Sequence, residues 1–486
     1  MRNWKLPAIA MLAANIAACT VGPDYVRPES PSPAHFAHAN KAEPASRVEM
    51  PADTAAEMEF WDRFNDPLLS RLVAQALASN HDLRIALANL DRANALLGGA
   101  RFDASPVITA EAEASDARAS ADQLPGVGRE ERDAKRYSAG IRANWELDLF
   151  GRIRRGVEAQ SAELEASVAD LAAAQVVVAA DVASTYAELR GLQERWRVAQ
   201  DNARNQLDTL RLLEARSSAG RGTEFDTSRA TAQLETTRSR IPALESAIAI
   251  GMHRIAVLTG QTPDALIDAL QAEQPLPAVP ARIDAGTPGE LLRRRPDVAA
   301  AEQRLRAATA RIGIATADLF PHFTLGGLLG SQAVGAGDLF ERDSETRLIA
   351  LGVDWSFLDI GHVRARISAS NASASAELAR YEQSVLRALE DTENALTRYA
   401  HARIEDAHLR RAAESSTRAA ELARTRFDAG ASDLLEVLDA ERTRLQAQDA
   451  LAVARTQSVT SAIALYRALA GGWPGQVPQR KSIAAN

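Results

Sequence analysis

Four segments of this chain alternate apolar and polar side chains: 107–116, 137–147, 323–332 and 349–357. In the second, Tyr137, Ala139, Ile141, Ala143, Trp145 and Leu147 share one face, and Arg136, Ser138, Gly140, Arg142, Asn144 and Glu146 share the other. A period of two marks a strand with one wet face. The fourth repeats it, with Ile349, Leu351, Val353, Trp355 and Phe357 on the apolar side. The first alternates Ile108, Ala110, Ala112 and Ala114 with Thr109, Glu111, Glu113 and Ser115. The third is weaker, carrying Leu325 and Leu329 among glycines. About ten residues suffice for a tilted strand to cross a bilayer. Four strands cannot close a barrel, and open sheet edges are forbidden in lipid. The chain must therefore pool strands with its own copies. Two copies give about eight strands, filled by side chains, and three give about twelve, which leave a lumen. Soluble hairpins on a buried core are the alternative, but very long helical stretches separate the two hairpins and no buried partner is evident. Trp145 and Trp355 stand near strand ends, suited to an interfacial aromatic girdle. The polar, Gly-bearing loops 121–133 and 333–345 read as outward loops.

The chain also repeats itself at an offset of roughly 210 residues. Trp145 pairs with Trp355, Gly151 with Gly361, Asp181 with Asp391, Gly220 with Gly430, and Ala230 with Ala440. The order of patterns is the same in both halves. Each opens with a helical stretch (67–102 and 289–319), continues into the two alternating segments, and then enters a very long helical stretch (152–218 and 362–428). A Gly-containing turn and a return helix follow (223–259 and 433–469). About 67 residues of helix would extend on the order of 100 Å. Ala159, Ala162, Ala166, Ala169 and Ala173 follow the three-four spacing of a coiled-coil seam. The expected organisation is a signal peptide (1–18), an extended arm of little structure (19–60), a first repeat (61–260), a Pro-rich connector (261–288), a second repeat (289–471) and a tail (472–486).

No apolar run reaches the roughly 18 residues of a membrane-spanning helix. At the N-terminus Arg2 and Lys5 precede a mostly apolar stretch, 6–18, ending Ile16-Ala17-Ala18-Cys19. This resembles a lipobox, where cleavage precedes a Cys that is then acylated. Cys19 is the single cysteine, which excludes an internal disulfide and a Cys-based metal cluster. Thr20 behind it is compatible with delivery to the outer membrane. The net charge of -8 argues against a nucleic-acid binder.

The chain resembles the outer-membrane factors of tripartite efflux systems, the TolC and OprM kind, in the NodT-like lipoprotein branch. The resemblance rests on Val21-Gly22-Pro23-Asp24-Tyr25, Trp61-Asp62-Arg63-Phe64 with Asp66-Pro67, and Asp148-Leu149-Phe150-Gly151-Arg152. It continues through Leu291-Leu292-Arg293-Arg294-Arg295-Pro296-Asp297-Val298, Phe320-Pro321, Phe427-Asp428-Ala429-Gly430 and Leu438-Asp439-Ala440. It covers nearly the whole mature chain, in order. It implies a mixed, mostly α membrane protein: a homotrimer with a twelve-stranded transmembrane β-barrel, four strands per chain, continued by a periplasmic α-helical barrel. It also implies an outer-membrane location, a periplasmic adaptor and an inner-membrane RND pump as partners, and small-molecule drugs as usual cargo.

The same resemblance singles out the two helical hairpin tips. Gly220, Arg221, Gly430 and Ala431 would meet the adaptor, although glycines there also serve the turns. Leu435, Glu436 and Asp439 would close the periplasmic end as rings around the axis. Glu436 also fits a capping box with Asp433. Asp226 and Arg229 stand near the corresponding first-repeat positions, where Arg229 would tether a neighbouring carboxylate.

No phosphate loop, Ser nucleophile elbow or paired-Cys spacing points to an enzyme or a cofactor. The eight histidines are scattered; His35 and His38 are the closest pair, in the arm. Two alternatives remain. One is a channel for type I protein secretion or metal-ion efflux. The other is a periplasmic coiled-coil adaptor or structural lipoprotein, which would lack membrane-length hairpins. Mass spectrometry of the mature N-terminus is expected to find an acylated Cys19, and a chain starting at any other residue would exclude lipidation there.

Overall fold

The computed structural model describes residues 20–29, 33–37, 61–279, 283 and 286–470. The signal segment, Cys19, His38, most of the arm and the tail lie outside the described residues. Helices α1 (Pro67–Ser79) and α2 (His81–Phe102) lead into strands β1 (Val107–Arg118) and β2 (Asp133–Leu147). The 67-residue α3 (Arg152–Ser218) follows, then α4 (Glu224–Arg238) and α5 (Arg240–Leu258). The second half repeats this order. It runs through α6 (Pro288–Arg294), α7 (Pro296–Ala317), β3 (His322–Ala333), β4 (Glu345–Asp354), the 69-residue α8 (Ile360–Asp428) and α9 (Leu434–Ala468).

Four local departures from the sequence reading are seen, the first three with a physical cause in the chain. The opening helix of each half is broken. Asn80 is extended and caps α2, its Oδ1 accepting from the backbone N–H of Asp82 and of Leu83. Arg295 is extended because Pro296 disfavours a helical residue before it. The first return helix breaks at Ser239, since Pro242 has no N–H to bond the Arg238 carbonyl. In the second half Ala452 stands at the matching position, and α9 runs unbroken. Finally, β4 stops at Asp354, so Trp355 and Phe357 lie beyond the strand that was expected to contain them. The expectation that no helix is apolar enough to span a membrane also needs correction. A window of α3 and one in the α4–α5 stretch reach that length and composition. In α3, 56% of the window is buried inside the chain.

The chain forms two compact units. The first, drawn from 1–29, 90–168 and 300–382, holds the sheet. Its strands run in the order β1-β2-β3-β4, all neighbours antiparallel. The register aligns Ile108, Ala143, Gly327 and Ile349 in one row, and Trp145, Leu325 and Leu351 in another, on the apolar face. The opposite face carries Glu111, Gly140, Gly330 and Thr346 in a row. There Arg142 pairs with Glu111 at 2.7 Å across the strands. A Cβ on Gly330 would lie 2.5 Å from the Ala139 carbonyl oxygen, so the Gly140–Gly330 pair allows an approach no larger residue permits.

Below the strands, Ala159, Ala162 and Ala166 are buried in the seam of α3, while Ala169 and Ala173 are half-buried. Arg311 and Arg306 of α7 pair with Glu163 and Glu165 of α3 at 2.7 and 3.4 Å. The described start of the arm has no helix or strand, yet it is fastened. Arg155, 4% exposed, donates to the carbonyls of Val21 and Gly22 and to Asp24. Val21 N–H donates to the Phe150 carbonyl, and Tyr25 and Arg27 both reach Glu302. Gly22 has φ +89°, and a Cβ there would sit 2.5 Å from Gly313 Cα.

The second unit, from 30–89, 169–299 and 383–486, holds the main apolar core. Phe64, Leu69, Leu83, Val182, Leu189, Ile255 and Ile463 pack in it. Asp66 caps α1 through Oδ1 and accepts from the Tyr186 hydroxyl through Oδ2 at 2.7 Å. Burial first, and that bond second, push the Tyr186 phenol up to about 12. Buried Arg190 and Gln193 hold the connector by donating to the Leu270 carbonyl, Arg190 reaching Ala272 as well.

Both repeats are closed by the same kind of bond. In the first, Asn80 Nδ2 donates to the Leu258 carbonyl at the end of α5. In the second, Arg295 Nη1 donates to the Ala468 carbonyl at the end of α9, at 3.2 Å. Arg295 is 8% exposed and is also held by Asp297 at 2.6 Å and Asp391 at 3.3 Å. Arg295→Met would leave that carbonyl and two partly hydrated carboxylates without their cation. A loss of about 2–4 kcal/mol is expected, read as a lower midpoint in denaturant melts followed by helix dichroism; an unchanged midpoint would mean that apolar packing alone closes the repeat.

Candidate functional site

The candidate site lies at the tips of the two helical hairpins. Both tips turn in the same way. Gly220 and Gly430 take φ +71° and +74°. Arg221 N–H donates back to the Arg216 carbonyl, and Ala431 N–H to the Arg426 carbonyl. Gly220 N–H and Gly430 N–H bond the carbonyls of Ser217 and Phe427. This is the six-to-one, five-to-two pattern that ends a helix on a left-handed residue. A Cβ on either glycine meets nothing within 4 Å, so backbone conformation rather than space demands glycine there. Around the turns, Leu210, Leu213, Ala230, Leu234, Leu434 and Leu438 form an apolar cluster that binds the hairpins together.

That cluster orients α9. Leu434, Val437 and Leu438 are buried, so Leu435, Glu436 and Asp439 share its exposed face. Asp433 caps α9 by accepting from Glu436 N–H at 3.1 Å. The Glu436 carboxylate does not close a box with it; it faces Arg426 at 3.6 Å. Asp439 pairs with Arg442 one turn on. At the first tip the reciprocal box is present. Asp226 accepts from Thr223 N–H and Oγ1, while Thr223 Oγ1 accepts from Asp226 N–H. Asp226 is thus engaged in starting α4, a role the sequence reading gave to Glu436. Arg229 lies over the exposed Phe225 ring of its own helix, 5.4 Å from the centroid.

One tip residue escaped the sequence reading. Arg216 lies over the Phe427 ring at 4.5 Å, joining the two hairpins. Arg216 and Arg426 are repeat-equivalent, and that shared position was the available signal. Among the described residues no set of His, Cys, Asp or Glu converges as metal ligands. The arrangement offers two hairpins ending in exposed, partly charged surfaces.

The family profile named Outer membrane efflux protein matches residues 72–261 and 287–471. The pyoverdine export outer membrane protein OpmQ of Pseudomonas putida is 32% identical over 440 residues, 88% of this chain and 91% of its own length. The probable efflux pump outer membrane protein TtgC of Pseudomonas putida is 30% identical over 486 residues, 99% of this chain and 98% of its own. Among solved structures, the outer-membrane channel OprN matches with TM-score 0.86 at 41% identity, over 94% of this chain and 100% of that one. Two amphipathic hairpins, two long helical hairpins and these matches agree: the chain belongs to the outer membrane efflux protein family and is an outer-membrane efflux channel.

Proposed function

We propose that three copies of this chain form one passive conduit, carrying small molecules from an inner-membrane RND pump and its periplasmic adaptor to the exterior. The sheet carries this reading. β1 and β4 both end it with unpaired edges, and three copies supply the roughly twelve strands that close around a lumen. Gly140, Gly326, Gly330 and Gly352 share the face of Glu111 and Arg142, which suits a face kept open to water. Acylated Cys19 adds a lipid anchor. Two residues on, Val21 is bonded to Phe150 beside the end of β2, which supports an anchor on that side of the sheet. Cargo selection belongs to the pump. The names of similar proteins mention pyoverdine and toluene, both small molecules.

The tips supply the remaining functions. Gly220, Arg221, Gly430 and Ala431 form the blunt end where the adaptor docks. Leu435, Glu436 and Asp439 become rings of three around the axis. Leucines there exclude water, and the carboxylates concentrate cations. Arg229, free of any carboxylate in its own chain among the described residues, is available to a neighbouring copy's Asp439. Asp226 contributes by fixing the start of α4 beside it.

Planar-bilayer recording tests the gate. Asp439→Ala is expected to raise resting conductance and lower cation preference. A shift of about 1.4 kcal/mol toward the open form would raise its population roughly tenfold. Arg229→Ala is expected to raise conductance while leaving selectivity intact. Parent-like conductance in both variants, with assembly unchanged, would move the gate away from these residues.

A further inference from the structure

The second unit contains a cavity of about 1020 Å³ away from the tips. One wall is the Pro-rich connector around Pro275 and Pro277; the others are α3, α8 and α9. Five guanidinium groups line it: Arg197 from α3, Arg403, Arg410 and Arg411 from α8, and Arg455 from α9. Against them stand three carboxylates, each within 4 Å of another arginine of the lining. Glu194 holds Arg455 at 3.0 Å, Asp406 holds Arg410 at 2.8 Å, and Glu273 lies 3.9 Å from Arg197.

Arg403 and Arg411 form no ion pair with a carboxylate among the described residues. Arg403 lies over the Tyr399 ring at 5.8 Å. Arg411 spends Nε on the Ala407 carbonyl and one Nη on His408 Nδ1 at 3.2 Å. Both remain exposed to the cavity with donors unspent. This local excess of positive charge occurs in a chain whose net charge is -8. A concave wall concentrates such a field. Planar guanidinium groups take carboxylate or phosphate oxygens in pairs.

We propose that this cavity binds a multivalent oxyanion, with one anionic group on Arg403 and another on Arg411. Two unmatched cations call for at least two anionic groups in one ligand. The volume, at the upper end of the roughly 300–1,000 Å³ usual for ligand sites, admits an extended molecule rather than a single small ion. Carboxylates and phosphates satisfy the same donors, so the ligand is defined by charge and spacing.

Titration calorimetry on the full-length protein in detergent tests this, with inorganic tripolyphosphate and citrate as probes and acetate as the monovalent control. The parent is expected to bind tripolyphosphate, citrate or both, more weakly at higher salt, and acetate not at all. Binding of one polyanion alone would assign the ligand to phosphates or to carboxylates. The double variant Arg403→Ala with Arg411→Ala is expected to lose at least tenfold in affinity. A second double variant, Arg364→Ala with Arg424→Ala, removes the same charge from α8 outside the cavity and is expected to bind as the parent does. Equal losses in both variants, or no heat with either polyanion, would overturn the site. Native mass is measured on the same samples. Dissociation of the Arg403/Arg411 variant would assign these arginines to contacts between copies and would likewise overturn it.

Discussion

An unpaired strand edge inside a bilayer is the constraint on which the rest of this structure depends. Each exposed N–H and C=O at such an edge costs several kcal/mol, because hydrocarbon offers no partner. β1 and β4 carry such edges, and nothing else in the described chain pairs with them. The polar row through Glu111 and Thr346 adds a second demand, since it needs water while the apolar row through Ile108 and Ile349 needs lipid. Closure around a water-filled interior meets both demands at once. The membrane-spanning part of the channel is therefore a property of the assembly and not of one chain.

The duplication extends to individual bonds. Trp145 donates its indole N–H to the Ala104 carbonyl just past α2, and Trp355 does the same to Leu319 just past α7. Asn80 and Arg295 close their repeats on equivalent carbonyls with different chemistry. Asparagine does so as part of a helix cap. Arginine brings a charge that Asp297 and Asp391 must balance. The repeats also diverge where Pro242 breaks the first return helix while α9 stays continuous. The first repeat thus combines a neutral bond with a broken return helix, and the second a charged network with a continuous one.

Much of this was legible in the sequence because it rests on periodicity. The period-two pattern of 137–147 and the alanine seam at Ala159, Ala162 and Ala166 gave strands and a long helix near their observed positions. Apolar periodicity continues across the breaks at Asn80 and Ser239, and only Pro242, which removes a donor, marks the second. Alternation carries the strand pattern through Trp355, although its indole turns back to bond Leu319. The buried arginines were not legible at all. Arg155, Arg190 and Arg295 each donate to backbone carbonyls far away in sequence, those of Val21, Leu270 and Ala468. At the tips the residue types were visible, but which acid caps and which faces outward depended on the burial of Leu434 and Leu438.

The central claim is that a four-stranded sheet becomes a channel only by sharing its edges with its own copies. Native mass spectrometry of the detergent-extracted protein, paired with bilayer recording of the same fraction, tests it most directly. The conducting species is predicted to contain three chains and to lose conductance when dissociated. A monomer or dimer that still conducts ions would contradict the account.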